Sequence, residues 1–374
     1  MKHFLLPVAM SVCTGLYAQY SVHIKLQPLA GKVSADEVYM AGSFNGWNPK
    51  DETFRLRKDD KGNFSLLLKN IPAGTYEYKF TKGGWETVET DANGQNIGNR
   101  TLQLSSDTTL AINIAGWSTG VNPVKKETAS ANVRIIDTSF YIPQLKRSRR
   151  IWVYLPSGYS TNTKKYPVLY MHDGQNLFNE ATSYAGEWGV DETLDSMKKQ
   201  CIVVGIDNGS LKRMNEYNPY NNERFGTGEG RQYIDFIAKT LKPYIDKKYR
   251  TLKDKNNTII AGSSMGGLIS MYAAVVYPNV FGAAGVFSPS FWISPKLKDD
   301  INKMVKPSTH RSSRIYFYAG EQESKEMVRD VLAMFETMRM KAGCKMEVRI
   351  NAEGQHNEPT WRQEFPAFYN WIIK

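Results

Sequence analysis

Cysteine and histidine are scarce in this chain of 374 residues, with 3 of the first and 5 of the second. So few thiols exclude a disulfide-built scaffold, and no histidines stand at zinc-ligand spacing beside them. No run supplies the ~20 apolar residues that a bilayer span needs, and mean hydropathy is −0.46. A membrane-embedded transporter is thereby excluded. Acidic residues are in deficit, 37 against 48 lysines and arginines, for a formal charge of +11. The basic residues are nevertheless spread along the chain, with only short clusters such as Lys146-Arg147-Ser148-Arg149-Arg150. No nucleic-acid motif accompanies them, so they describe a solvated surface. What remains is ordinary globular material, 41% hydrophobic and 23% charged, long enough for two domains. That composition excludes a coiled-coil rod and a largely disordered chain.

Residues 1–18 read as a secretory leader: Lys2, then the apolar stretch Phe4 to Met10, then Gly15-Leu16-Tyr17-Ala18. A short positive start, a brief apolar core and a small closing residue form that pattern. Export to the periplasm or the medium is therefore expected. Lipoprotein anchoring at Cys13 ranks second, because Val12 stands where a small residue is needed. Cys201 and Cys344 are expected to be buried, unpaired thiols.

From about Val22 to Ile114 short β-prone runs alternate with explicit turns, Asp59-Asp60-Lys61-Gly62 and Lys82-Gly83-Gly84. The flanking runs, Phe54-Arg55-Leu56 to Phe64–Leu68 and Tyr76–Phe80 to Trp85, predict a small all-β, immunoglobulin-like sandwich over residues 19–117. A stretch without periodicity, 118–131, is the expected linker. In 132–374 the pattern changes. Apolar runs Pro167–Met171, Ile202–Ile206, Thr258–Ala261 and Ile315–Tyr318 alternate with helical stretches, one carrying Ile234, Ile237, Leu241 and Ile245, another spanning about Lys325 to Met340. Strands apolar on both faces and separated by helices predict an α/β fold with a mostly parallel sheet covered on both sides.

Within that half, Gly262-Ser263-Ser264-Met265-Gly266 is a G-x-S-x-G pentapeptide centred on Ser264. Alone the motif is weak. Here it follows a strand-like run and precedes the helix-like Leu268–Ala274, the strand–turn–helix setting of a nucleophile elbow. A serine hydroxyl needs a base, and the base needs an orienting group. In this architecture the order along the chain is serine, acid, histidine. His3, His23, His172 and His310 all fall too early, which leaves His356 in Glu353-Gly354-Gln355-His356-Asn357-Glu358. The acid should follow the run Arg314–Tyr318, where Glu321 and Glu323 both stand, with Asp330 in the next helix. Oxyanion donors are expected from the amide of Met265 and from the loop His172-Asp173-Gly174-Gln175-Asn176, with Gln175 ahead of Gly174. His172 and Asp173 are expected to shape that loop.

These residues make 132–374 resemble the α/β-hydrolase esterases that include feruloyl, acetyl-xylan and enterochelin esterases and mycolyltransferases. The matching pieces are Tyr170–Asn176, Val204–Gly209, the elbow, Phe287-Ser288-Pro289-Ser290-Phe291-Trp292, Gly320-Glu321-Gln322-Glu323 and His356. The resemblance places the acid three residues after Gly320, at Glu323. The β module is similar to the glycogen- and starch-binding sandwich found beside isoamylase-type enzymes, through Gly42–Trp47, Tyr76–Phe80, Gly84-Trp85 and Asn99. That resemblance implies sugar contact through Trp47, Lys79, Trp85 and Asn99, since aromatic faces suit sugar rings.

The expected activity is that of an exported serine carboxylesterase on carbohydrate-linked esters, feruloyl or acetyl esters of plant polysaccharide, needing no metal or organic cofactor. Trp188, Trp292 and Arg213 in Arg213-Met214-Asn215-Glu216-Tyr217 are expected to line the substrate cleft. Two other readings stay open. One is siderophore-ester hydrolysis or acyl transfer on the same fold. The other is a glycan-binding protein whose hydrolase half is inactive.

Overall fold

A computed structural model of the chain describes residues 18–28, 34–94, 97–119, 125–184, 186–222 and 225–373. The expected leader therefore lies outside the described residues except for Ala18. The chain divides into two compact units, residues 1–122 and 123–374.

The first unit is β throughout: β1 (Gln19–Leu26), β2 (Tyr39–Gly42), β3 (Arg57–Lys58), β4 (Phe64–Pro72), β5 (Gly74–Thr81), β6 (Glu89–Thr90), β7 (Arg100–Leu104), β8 (Thr108–Ile112) and β9 (Gly116–Trp117). A four-stranded sheet β3-β4-β1-β8 and a three-stranded sheet β2-β5-β7 enclose one core. Period-two alternation builds it, with Val22, Ile24 and Leu26 from β1, Phe64, Leu66 and Leu68 from β4, and Tyr76, Tyr78 and Phe80 from β5 all inward. The turn at Asp59–Gly62 joins β3 to β4, and the Asp59 carboxylate accepts the Lys61 and Asn63 amides. Two expected strands are shorter than the sequence suggested. Glu52–Phe54 and Trp85–Thr87 are 3-10 turns, the first capped by Asp51, whose side chain accepts the Thr53 amide.

The second unit is built on one eight-stranded sheet. Its strands are β10 (Val133–Ile142), β11 (Arg147–Tyr154), β12 (Val168–His172), β13 (Ile202–Ile206), β14 (Thr258–Ser263), β15 (Ala283–Phe287), β16 (Arg314–Gly320) and β17 (Lys345–Asn351). They lie in the order β10-β11-β13-β12-β14-β15-β16-β17. All pairings from β13 onward are parallel, while β10 and β11 join antiparallel at one edge. The helices are α1 (Val190–Ser196), α2 (Arg213–Glu216), α3 (Gly230–Phe236), α4 (Lys242–Lys248), α5 (Met265–Val276), α6 (Lys296–Met304), α7 (Pro307–His310), α8 (Lys325–Ala342) and α9 (Glu358–Ile372).

The inner strands of this sheet, β12 to β16, are buried along their whole length, which is why they read as largely apolar runs. Val168 and Tyr170 pack to one side with α3, α5 and α8, while Leu169 and Met171 pack to the other with α1 and α9. The helical stretch bearing Ile234 to Ile245 holds a π-helical turn, Ile237–Leu241, between α3 and α4. Pro243 stands just beyond it and has no N–H to continue the α ladder. Part of the expected linker is tied to this unit: the Thr128 hydroxyl donates to Glu187 (2.8 Å) and the Ser130 amide to Asp191 (2.7 Å). Cys201 is buried and Cys344 only half-buried, and no bridge joins them.

The parallel register sets up the site. Ser263 pairs with Phe287, Phe287 with Tyr318, and Tyr318 with Arg349. β14 and β15 thus end level, β16 and β17 run two residues further, and the loops that follow all four share one rim of the sheet, where ligands of open α/β folds bind.

Candidate active site

Ser264 sits in the tight turn from β14 to α5 with φ 58° and ψ −121°, a conformation costly for any residue with a side chain. Its amide donates to the Phe287 carbonyl (2.9 Å), and its carbonyl accepts the Leu268 and Ser290 amides, each at 3.1 Å. The turn has no room for bulk. A Cβ on Gly262 would lie 3.0 Å from the His172 ring and 3.1 Å from Gly266. Met265 opens α5, so its N–H has no acceptor within the helix and adds to the positive end of the dipole.

His356 lies between β17 and α9, two residues before Glu358. The Asn357 side chain caps α9 by accepting the Thr360 amide (3.1 Å), which fixes the chain direction there. The imidazole Nδ1 stands 2.7 Å from Glu323 Oε2. Glu323 follows β16, and its side chain is only 2% exposed. Its other oxygen accepts the Ser288 hydroxyl (2.6 Å) and the Gly320 amide (2.8 Å). Two donors already meet its other oxygen, so this carboxylate is placed to accept from Nδ1, and a neutral imidazole held this way presents its lone pair at Nε2. Glu321 instead lies at the surface, its amide donating to Asn351, and Asp330 pairs with Arg329 in α8.

Beside the serine oxygen is a second hydroxyl, Ser290 Oγ, at 3.2 Å and buried. Across the rim, Gln175 occupies a 3-10 turn, Gly174–Asn176. Its carbonyl accepts the Thr182 hydroxyl (2.8 Å) and its side-chain oxygen the Asn208 amide (3.2 Å). Gly174 is required here, since a Cβ would lie 2.8 Å from the backbone of Gly205 and Ile206. Asn176 clasps this loop to the histidine segment by donating to Glu358 (3.0 Å).

His172 and Asp173 form the floor of the loop. His172 Nδ1 meets the Tyr233 hydroxyl at 2.9 Å, and burial pushes its pKa down to about 3, so it stays neutral. Burial alone would raise the Asp173 carboxyl. The Arg213 guanidinium, at 2.7 and 2.9 Å, and the Asn208 amide outweigh that and hold it below the usual range.

Two residues expected in the cleft are placed otherwise. Trp188 is 2% exposed, stacked on Trp361 (5.7 Å between centroids) and edge-on to Phe287 (5.0 Å), so it belongs to the core. Arg213 spends its fork on Asp173. Trp292 is 42% exposed, two residues past Ser290, and meets Phe225 edge-on. Ser288, Ser290 and Trp361 were not singled out from the sequence. The run Phe287–Trp292, quoted for the resemblance, carried the signal for the first two; Trp361 is an unmarked helix residue.

In the first unit Trp47 and Trp85 are half-buried with ring centroids 6.1 Å apart. Lys79 Nζ donates to the Ile97 carbonyl (2.6 Å), and burial lowers its pKa. Asn99 is exposed and reaches Glu77 at 3.3 Å. Among the described residues no group of three or more His, Cys, Asp or Glu could hold a metal ion, and no helix is long and apolar enough to cross a membrane.

A mostly parallel sheet with a strained serine elbow and a histidine–carboxylate pair on one rim defines an α/β-hydrolase. Residues 142–372 match the family model "Putative esterase", and the chain belongs to that family; fold and family make it a carboxylic ester hydrolase. YbbA of Bacillus subtilis (strain 168), described as uncharacterized, is 29% identical over 240 residues, 60% of this chain and 92% of that protein. An endo-1,4-beta-xylanase/feruloyl esterase of Xylanibacter ruminicola is 26% identical over 268 residues, covering 66% of this chain and 33% of that longer protein. The enterochelin esterase structure from Shigella flexneri aligns with a TM-score of 0.53 at 14% identity, covering 94% of this chain and 91% of that one.

Proposed function

We propose that this chain is an exported serine carboxylesterase that hydrolyses carbohydrate-linked esters, feruloyl or acetyl esters of plant polysaccharide. The observation that carries the serine mechanism is the 2.7 Å pairing of His356 Nδ1 with Glu323 Oε2 on the same rim as the strained Ser264. Ser264 Oγ attacks the ester carbonyl and its proton passes to His356 Nε2. Glu323 holds the ring and stabilises the imidazolium that forms. The amides of Met265 and Gln175 bind the tetrahedral oxyanion. The imidazolium then protonates the departing alcohol, and water, deprotonated by His356, releases the acid from the acyl-serine.

Support for the sugar-linked substrate comes from the β unit, whose Trp47, Trp85, Lys79 and Asn99 are the residues the glycan-module resemblance points to, and from the feruloyl esterase named among the relatives. Export rests on the leader pattern of residues 1–18.

The test measures kcat/KM on p-nitrophenyl acetate, feruloyl, acetyl-xylan and siderophore esters, with Ser264→Ala as control. Preference for feruloyl or acetyl sugar esters, lost in Ser264→Ala, is expected. Preference for the siderophore ester overturns the substrate. Failure of the wild type to react with a fluorophosphonate points to an inactive hydrolase half.

A further inference from the structure

We infer that Ser288 and Trp361 are positioning residues that orient the acid of the site, an inference resting on the serine esterase reading above. Ser288 follows β15 directly, is fully buried, and adopts φ 42°. Its amide donates to the Tyr318 carbonyl (2.8 Å), which pins the residue between the strands that lead to Ser264 and to Glu323.

The direction of each hydrogen bond follows from what the groups can do. An indole N–H only donates, so the 2.9 Å contact from Trp361 Nε1 makes Ser288 Oγ an acceptor there. The hydroxyl hydrogen is thereby left for Glu323 Oε1, at 2.6 Å. Oε1 also takes the Gly320 amide at 2.8 Å, so the carboxylate plane is fixed and Oε2 is turned to His356. A serine alone could rotate its hydrogen elsewhere; the indole removes that freedom.

Trp361 acts on both ends of the pair. Besides donating to Ser288, it lies edge-to-face against the His356 ring, with centroids 5.1 Å apart at 82°. Trp188 stacks on its other side, and Trp361 itself is 4% exposed. The line Trp361–Ser288–Glu323–His356 is therefore closed on itself, and its first three members are buried, where each hydrogen bond constrains the next.

Removing the hydroxyl or the indole N–H should leave substrate binding intact and slow the chemistry. On p-nitrophenyl acetate, Ser288→Ala and Trp361→Phe are each expected to lower kcat roughly 10- to 100-fold, the size of one buried hydrogen bond to a carboxylate, with KM within about twofold. Trp361→Phe keeps the ring contacts. Because the indole N–H, the group this variant removes, acts through the serine, the double variant should be no slower than the slower single. Ser288→Gly suits the positive φ and lacks the hydroxyl, so it should stay folded and show the same kcat loss. Wild-type kcat in folded Ser288→Ala or Ser288→Gly would overturn the inference, as would losses that multiply in the double variant. Ser264→Ala, measured alongside, separates the two readings. Its inactivity beside fully active Ser288 variants sinks the positioning role alone, whereas full activity in Ser264→Ala sinks the esterase mechanism itself.

Discussion

Glu323 and His356, 33 residues apart in the chain, meet at 2.7 Å on a carboxylate whose second oxygen is already occupied by Ser288 and Gly320. That crowding dictates what an amide would do in its place. In Glu323→Gln the single carbonyl oxygen is drawn to the side where two donors wait, and the NH2 group turns toward His356 Nδ1. The imidazole must then accept at Nδ1 and carry its proton on Nε2, where it cannot take one from Ser264. A fall in kcat/KM of about 10³- to 10⁴-fold is expected on p-nitrophenyl acetate. Glu321→Gln, altering an exposed residue, should stay within about twofold. Equal losses in both would show that the pair is not the operative one.

Arg213 anchors the opposite loop. Its fork on Asp173 holds the segment bearing Gln175, two residues on. Arg213→Met leaves a buried carboxylate facing Asn208 alone, and should cost about 2–4 kcal/mol in urea unfolding. The pH dependence has a definite sign. Asp173 titrates below its unfolded value, so its contribution is present above pH ~4 and is lost as pH falls through the native pKa. In Arg213→Met the acid-side loss should shrink, and kcat should drop about tenfold if the loop bearing Gln175 supplies the proposed oxyanion donor.

Much of this candidate site can be read without coordinates because a tight G-x-S-x-G turn between strand and helix is a local device. Gly262, Ser264 and Gly266 lie within five residues, and the chain order expected of a serine–acid–histidine set then points to His356 and to the carboxylate that pairs with it. The central strands β12, β13, β14 and β16 are legible for the same reason: they are apolar on both faces, a pattern that needs only short windows. The antiparallel β10 and β11 escape that test, since β10 is largely exposed at the sheet edge. Trp188 and Arg213 fail for a different reason. An aromatic or a guanidinium near a motif looks the same in sequence whether it meets substrate or a neighbour; only the stack on Trp361 and the fork on Asp173 decide it. Ser288 and Trp361 are 73 residues apart, and their partnership exists only through the packing of α9 on the end of β15.

Trp292 is the exposed aromatic nearest in sequence to the serine's neighbour Ser290. Its indole meets Phe225 edge-on and keeps enough exposed surface for a planar acyl group to stack there, a contact worth about 0.5–1.5 kcal/mol. Trp292→Ala should therefore lower kcat/KM for a feruloyl ester about 2- to 12-fold relative to an acetyl ester. An unchanged ratio of the two would remove Trp292 from the acyl site.

Asp191 offers a prediction on stability alone. It is fully buried, and burial pushes its pKa up to about 7. One oxygen accepts the Ser130 amide; the other, like Glu192 Oε2, meets no donor, so a proton between the two carboxyls would satisfy both. Below pH ~4 native and unfolded chains both hold that proton, and folding is indifferent to it. Between about 4 and 7 only the native chain holds it, so stability declines as pH rises and levels off above the native pKa. Asp191→Asn supplies a permanent N–H toward Glu192 while its carbonyl still accepts from Ser130. The variant should match the wild type at pH 4 and exceed it at pH 8, the gap opening as pH rises between those values. Chemical unfolding at both pH values decides the matter: a gap that does not widen with pH, or a variant weaker at pH 8, would mean that Asp191 is ionised in the native protein at neutral pH.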